Sequence, residues 1–295
     1  MPYTTILTVL VALLLGFADS FAQEKQYTYQ TFKDTRIINT QSVEVLQHRQ
    51  LDIRIAHRFG DMFGALGGWP TFFGLESAAD IAIGCEYGLL NKLTLGVHRT
   101  KGAGQLRQLI NGMAKYRLLH QTNGNEIPLS MTVVAGAGIS TMRRDTVNQE
   151  SLASFQKFAH RLLYSVELHV ARKFGESFSL QFSPTFVWRN NVLEGDENAL
   201  FGLGLSMRVQ LSKSLGLILD SNFLLSTLRF KSDSSYFSHI PVGLGLEIET
   251  GGHVFQINLT NASGIMLYDY LPNTEANWIK GQFRLGFTLS RLFRL

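Results

Sequence analysis

The sequence has little charge, little proline and a single cysteine. Charged residues make up 17% of the 295 positions, whereas soluble domains usually carry about a quarter. The 6 prolines are outnumbered by 27 glycines and 21 phenylalanines, a mixture that favours strands with tight bends over helices. The low charge indicates that part of the protein surface does not face water.

Other absences exclude several kinds of functional site. Cys85 can form neither an intrachain disulfide nor a zinc site by itself. The sequence has no H-E-x-x-H pattern, and its G-x-G repeats do not open the strand-to-helix unit of a phosphate-binding loop. The net charge of +4 comes from scattered basic residues, which is not typical of a nucleic-acid-binding surface. We therefore expect no metal, no cofactor and no nucleic-acid partner.

The N-terminus has the features of an export signal. Residues 6–17 form an apolar core, and Ser20 and Ala22 are small residues suited to positions −3 and −1 of a cleavage site. We predict a signal peptide over residues 1–22, although no Lys or Arg precedes the apolar core. The alternative is a membrane anchor helix, for which the apolar stretch is short. Residues 23–50 are predicted to be a periplasmic N-terminal segment, with insertion into the protein as the alternative.

After the N-terminal segment, apolar and polar residues alternate with a period of two. This spacing is typical of strands with one apolar face and differs from the three-and-four spacing of a helix. Most of the alternating stretches are near the ten residues or so that a tilted strand needs to cross a bilayer, and the shortest are five to seven residues long. The stretches are 51–59, 81–89, 93–98, 114–118, 131–140, 161–170, 178–189, 201–210, 215–225, 242–248, 255–260 and 283–290.

The connections between these stretches alternate strictly between short and long. Short periplasmic turns and long outer loops are typical of outer-membrane barrels. The short connections lie near residues 90–92, 122–126, 173–177, 212–214 and 249–252, and the long ones near 60–78, 101–108, 141–157, 190–198, 227–239 and 262–280.

The pattern therefore predicts an all-β protein in the cell outer membrane. We expect a closed antiparallel up-and-down transmembrane β-barrel of about 12 strands over residues 51–295, with both termini on the periplasmic side. A soluble sandwich or lipocalin-like barrel is the alternative, with its apolar rows facing inward. Two features disfavour it: the polar rows are rich in small residues, and aromatic residues near strand ends match interfacial girdles.

Three stretches resemble a known family. Residues 41–60, 74–84 and 115–119 are similar to a family of Gram-negative outer-membrane β-barrel proteins of unknown function. The similarity covers most of the mature chain. It implies a barrel in the outer membrane and implies no activity.

Charged residues recur on the polar rows and are predicted to line the lumen. One interpretation is a narrow porin-like channel for small polar or anionic solutes, in which these charges set selectivity. The other is mutual ion pairing that fills the small lumen of a twelve-stranded barrel. The predicted lumen-lining charged residues are Arg54, Arg58, Glu86, Lys115, Arg117, Arg161, Glu167, Arg189, Arg208, Asp220, Glu247 and Arg284.

Two other function classes remain open. One is a structural or interaction barrel, a subunit of an envelope assembly with no open pore. The other is an outer-membrane lipid hydrolase, which is disfavoured because outward-facing His57 and His253 have no serine in the same strand, while His98 and His169 point inward. We predict no catalytic residues. The expected partners are outer-membrane lipids and the barrel-insertion machinery, and the oligomeric state stays open.

The first long connection, residues 60–78, is rich in aromatic side chains. It could fold into the mouth of the barrel as a constriction or pack against itself outside.

Overall fold

Twelve antiparallel strands close into one barrel in the part of the chain that the computed structural model describes, residues 26–101, 104, 106–230 and 236–295. Each strand pairs with its neighbours along the chain, and the first pairs with the last. The strands are β1 (Gln50–Phe59), β2 (Ala78–Leu90), β3 (Leu93–Lys101), β4 (Leu109–Leu119), β5 (Ser130–Ser140), β6 (Leu162–Phe174), β7 (Phe178–Arg189), β8 (Ala199–Gln210), β9 (Leu215–Leu224), β10 (Val242–Thr250), β11 (His253–Thr260) and β12 (Arg284–Arg294).

The predicted fold class is thus confirmed, and the strands fall where the period-two pattern places them. The predicted signal peptide, residues 1–22, lies outside the described residues. The described loops contain two short α-helices, α1 (Thr227–Phe230) and α2 (Leu267–Asn273). None of the helices in the described part is long and apolar enough to cross a membrane.

The apolar rows of the strands face outward. Along β3, Val97 is 57% exposed, whereas the side chains of Thr94 and Thr100 on the opposite row are buried. Ile83 and Ile257 on other strands are likewise exposed. An exterior of large apolar side chains around a polar interior is the reverse of a soluble barrel and matches a lipid-facing belt. The soluble alternative is therefore wrong.

Tight turns and long loops lie at opposite ends of the barrel. The connection between β10 and β11 is the pair Gly251–Gly252, with φ angles of 49° and 99°. Two-residue hairpin turns of this kind need positive φ, which glycine adopts without steric cost. At the other end, the loop between β11 and β12 spans residues 261–283.

Within the predicted periplasmic segment 23–50, the middle part lies inside the barrel, which corresponds to the insertion alternative. Residues 31–46, here called the N-terminal plug, are almost entirely buried, and Phe32, Ile37 and Val43 are each 1% exposed. Residues 47–49 are exposed and lead into β1. The plug buries these apolar side chains, and its charged and backbone groups find partners on the polar lumen wall.

A second insertion fills the long-loop end. Residues 261–274, here called the loop plug, are almost all buried, and Tyr270 and Leu271 of α2 are 0% exposed. They form an apolar cluster with Leu109, Val187 and Leu200. The aromatic loop between β1 and β2 stays outside instead, where Phe63, Trp69 and Phe72 are exposed and the Phe63 and Phe73 ring centroids lie 5.5 Å apart.

Candidate functional site in the barrel lumen

The tip of the N-terminal plug is a tight hairpin held by one carboxylate. The Ile37 amide donates to the Thr40 carbonyl over 2.9 Å. The Asp220 side chain of β9 accepts from the backbone amides of Ile38 (3.1 Å), Asn39 (2.6 Å) and Thr40 (2.9 Å). The Asn39 side-chain amide donates to the other Asp220 oxygen over 2.8 Å. Because hydrogen bonds to a charged group are stronger than neutral ones, Asp220 is the main anchor of the tip.

The stem of the plug pairs with basic residues on the wall. Arg54 of β1 donates to Asp34 of the plug over 2.7 Å and to Asp52 over 2.8 Å. The Ser290 hydroxyl donates to Asp52 over 2.6 Å. Arg54 is 2% exposed and Asp52 is 1% exposed. A buried guanidinium is thus neutralised partly by the wall and partly by the plug.

Neighbouring strands continue this polar contact. The Thr35 hydroxyl donates to Glu86 over 2.9 Å. The Lys115 ammonium donates to the carbonyls of Thr35 (2.8 Å) and Glu44 (3.1 Å), and Arg117 donates to the Glu44 carboxylate over 3.2 Å. The strands therefore supply mainly cations here, and the plug supplies acceptors.

The two plugs contact each other at the centre of the lumen. Arg36 of the N-terminal plug donates to the Ile265 carbonyl of the loop plug over 2.6 Å. Arg58 donates to the Asn39 side chain over 2.7 Å and to carbonyls of Ala262 and Gly264. The Asn222 amide donates to both Thr40 and Tyr270, each over 3.0 Å. Movement of one plug would therefore break contacts made by the other.

Most of the remaining predicted lumen residues pair with the barrel wall or the long loops. Arg208 pairs with Glu247 over 2.8 Å, and Arg284 pairs with Asp80 over 3.1 Å. Glu167 is buried, with a carboxylate oxygen 3.6 Å from the His169 ring. Arg189 and Arg161 lie near the long loops, where Arg189 pairs with Asp196 over 3.0 Å and Arg161 donates to the carbonyls of Ser140 (3.0 Å) and Met142 (2.7 Å).

Sequence reasoning missed the residues on the plug side of these contacts, namely Asp34, Arg36, Asn39 and Glu44. Two features of the sequence could have indicated them. The predicted lumen residues have more positive than negative charges, and the segment before β1 contains carboxylates that could balance them. The same segment contains apolar residues such as Phe32, which are unusual in a water-exposed tail.

A buried serine and histidine lie within hydrogen-bond distance. The Ser183 hydroxyl is 2.8 Å from Nδ1 of His169, which also lies near Glu167. This set resembles a nucleophile, base and carboxylate. However, Ser183 and His169 are both 0% exposed, and Gln181 donates to Ser183 and to the Gln41 carbonyl of the plug. A lipid ester cannot reach this serine while the plug is in place.

Cavities lie on both sides of the plugs. One of about 370 Å³ opens among the long loops and is lined by Arg189, Asp196 and Arg229. Another of about 420 Å³ lies at the short-turn end and is lined by Lys33, Glu44 and other polar residues. A third, of about 30 Å³, lies between the plugs beside Arg36 and Glu167, where it has room for water. The described residues hold no group of three or more His, Cys, Asp or Glu that could bind a metal ion.

The plug is also attached at the short-turn mouth. Tyr27 stacks on His120 with ring centroids 4.7 Å apart, and the Thr28 amide donates to the Gln121 carbonyl over 2.8 Å. Burial, with the positive charge of Arg117, lowers the pKa of His120. The lowered pKa favours the neutral form of the His120 imidazole in this stack.

Solved structures of several outer-membrane proteins align with most of this chain. An outer membrane channel from Pseudomonas putida F1 has 14% identity and a TM-score of 0.46, over 87% of this chain and 100% of that one. The outer membrane protein Omp33 of Acinetobacter baumannii has 8% identity and a TM-score of 0.41, over 83% and 98%. The P. putida toluene transporter TodX has 8% identity and a TM-score of 0.40, over 92% and 96%. No curated protein matches the chain.

A family model described as a membrane-bound β-barrel domain matches residues 32–293, which include all of the N-terminal plug except its first residue and all of the strands except Arg294 at the end of β12. The chain is thus an outer-membrane β-barrel protein and belongs to the membrane-bound β-barrel family DUF5777.

Proposed function

We propose that this protein is an outer-membrane channel for small polar solutes, held closed by its N-terminal plug and opened when the plug leaves the lumen. The observation that carries the proposal is the chemistry of the wall behind the plug. Arg54, Glu86, Lys115, Gln181 and Asp220 all face it. A passage lined by such groups stays wet once vacated, whereas an apolar one dewets.

The way the plug is attached is compatible with opening. It is held to the wall by side-chain hydrogen bonds and ion pairs and adds no strand to the barrel sheet. Its link to β1, residues 47–49, is exposed at the short-turn end. The cavities at each end leave the plugs as the main obstruction between the two mouths.

The second candidate is a structural or interaction barrel with no open pore. The number of buried contacts made by Asp220, Arg54 and Arg58 favours it, because each must break for the plug to leave. A lipid hydrolase is the third and weakest candidate, since the Ser183–His169 pair is sealed inside the lumen.

Conductance in planar bilayers, measured after cleavage of the link between the plug and β1, distinguishes the channel from the structural barrel. A protease site replaces residues 47–49, so the barrel folds with its plug and the plug is cut and washed out with mild urea afterwards. We expect little conductance before cutting and stable single-channel steps after washing. An uncut barrel with the same site, given the same urea wash, is the control. A washed barrel that has lost the plug by mass spectrometry and still carries no current would support the structural candidate.

A further inference from the structure

The lipid-facing row of β3 carries two cations at its long-loop end, where the lipid-facing rows of the other described strands have no charged residue. On β3 the outward side chains are Leu93, Leu95, Val97, Arg99 and Lys101, and the last two lie at the long-loop end. Among the twelve described strands, no other outward row has a charged residue at this end. A cation on the lipid face costs about 2–4 kcal/mol at the bilayer midplane and about 0–1 near the interface, so these two belong at the headgroup level.

Arg99 and Lys101 differ from the outward cations at the opposite end. Arg172 lies over the Phe174 ring at 5.3 Å, and Arg291 lies over the Phe293 ring at 4.8 Å. Arg99 donates to the Thr141 hydroxyl over 2.8 Å. Neither Arg99 nor Lys101 forms a salt bridge with a carboxylate of the described residues.

Two further cations adjoin this pair. Thr141, which accepts from Arg99, donates through its own amide to the Gln108 carbonyl over 3.0 Å. This contact brings together two loops on which Arg107 and Arg143 are exposed. The nearest carboxylate along the second loop, Asp145, accepts from the amides of Val147 and Asn148 in its own turn. The surface therefore has an excess of positive charge.

The lipid-facing surface beside the cations is a shallow depression. Gly112 of β4 pairs with Val97 on one side and Ala137 on the other, and Ala114 pairs with Leu95 and Ala135. A Cβ atom added at Gly112 would meet nothing within 4 Å. The larger Ile110 and Ile139 lie at the end of this depression nearest Arg99. The small side chains leave space on this surface against which an extended acyl chain can pack.

We propose that this face binds one phosphorylated lipid of the outer leaflet. Its phosphate contacts Arg99 and Lys101, whose Cα atoms lie roughly 7 Å apart on one strand face, and one acyl chain lies against Gly112 and its alanine neighbours. A guanidinium binds phosphate oxygens in a fork, and the ammonium adds a second point charge. The site is continuous with the lipid-facing surface and independent of whether the lumen opens.

The test measures binding of diphosphoryl lipid A to the full-length protein in detergent by native mass spectrometry. We expect the Arg99→Gln, Lys101→Gln double variant to bind at least tenfold more weakly. The matched control, Arg172→Gln with Arg291→Gln, removes two outward cations from the other end and should stay within about twofold of wild type. Heat-modifiable migration on gels confirms that each variant is folded.

Two further probes separate the headgroup from the chain. Lipid A without phosphates should bind as weakly to wild type as the intact lipid binds to the double variant. Gly112→Leu fills the depression and should weaken lipid A binding severalfold. Equal affinity of the wild type for lipids with and without phosphate, or an unchanged affinity in the double variant, would overturn the proposal. Binding of inorganic phosphate as tightly as lipid A would overturn the role of the acyl chain.

Discussion

Replacing Asp220 with alanine is expected to free the tip of the N-terminal plug and to lower the free energy of unfolding of the barrel. The Asp220 carboxylate accepts from three backbone amides and one side-chain amide. Each buried donor left without an acceptor costs about 1–3 kcal/mol. The loss is limited by how far the freed hairpin can move to find new partners.

The measurement is urea unfolding in lipid vesicles, followed by tryptophan fluorescence. Asp220→Asn should lower the free energy of unfolding less than Asp220→Ala, because the amide keeps one carbonyl oxygen that can accept hydrogen bonds from the plug. Glu150→Ala, on an exposed loop, is the control and should stay within about 0.5 kcal/mol of wild type. If Asp220→Ala unfolds at the wild-type urea concentration, Asp220 does not anchor the plug.

Replacing Arg54 with glutamine is expected to have an effect of similar size. The change leaves Asp34 and Asp52 buried beside each other without their shared cation. Breaking a buried ion pair by removing one partner costs about 3–5 kcal/mol. Because Asp34 belongs to the plug and Asp52 to the wall, repulsion between them should push the stem of the plug outward.

A second substitution tests that cause. Adding Asp34→Asn to Arg54→Gln removes one of the two stranded carboxylates and should restore part of the lost stability in the same unfolding assay. Arg208→Gln is the matched comparison, because it strands Glu247 within the wall and leaves the plug contacts intact. It should destabilise the barrel without loosening the plug. If a cysteine at Ser42 in the plug becomes equally accessible to labelling in Arg208→Gln and in Arg54→Gln, Arg54 has no specific role in holding the plug.

The strands were predictable because lipid and lumen impose opposite chemistry on alternate residues. The outward row of β8, for example, has Phe201 and Leu203, and the inward row has Gly202 and Gly204. A closed barrel in lipid must satisfy every backbone group within the sheet, so this period repeats from end to end. The same alternation puts Arg54, Glu86 and Lys115 on inward rows, where each side chain is buried.

The plugs were not predictable from that pattern. Residues 31–46 have no regular period, because their backbone pairs with side chains such as Asp220 and Lys115 and not with a neighbouring strand. The helix α2 has a proline at position 272 and is buried on all sides, so it lacks the polar face that marks most short helices. Contacts between distant parts of the chain decide both structures.

The sequence left open whether the lumen charges line a channel or pair with each other, and the structure has examples of wall pairs and of charges that face the plug. Some pair within the wall, as Arg208 does with Glu247, and others are neutralised by the plug, as Arg117 is by Glu44. Only the second group would gain free charge when the plug leaves. Arg54 and Arg117, which pair with the plug carboxylates Asp34 and Glu44, are therefore the residues whose substitution should most change the conductance of the vacated barrel.

The central claim, that the N-terminal plug fills the lumen of the folded barrel, is tested most directly by cysteine labelling. In a Cys85→Ala background, a single cysteine is placed at Ser42, which is 0% exposed in the plug, or at Gln47, which is exposed at the short-turn end. A membrane-impermeant maleimide is added to the folded protein in open membrane sheets. We predict that Gln47→Cys is labelled rapidly and that Ser42→Cys is protected until the barrel is unfolded; labelling of both at the same rate in the folded barrel would contradict the account.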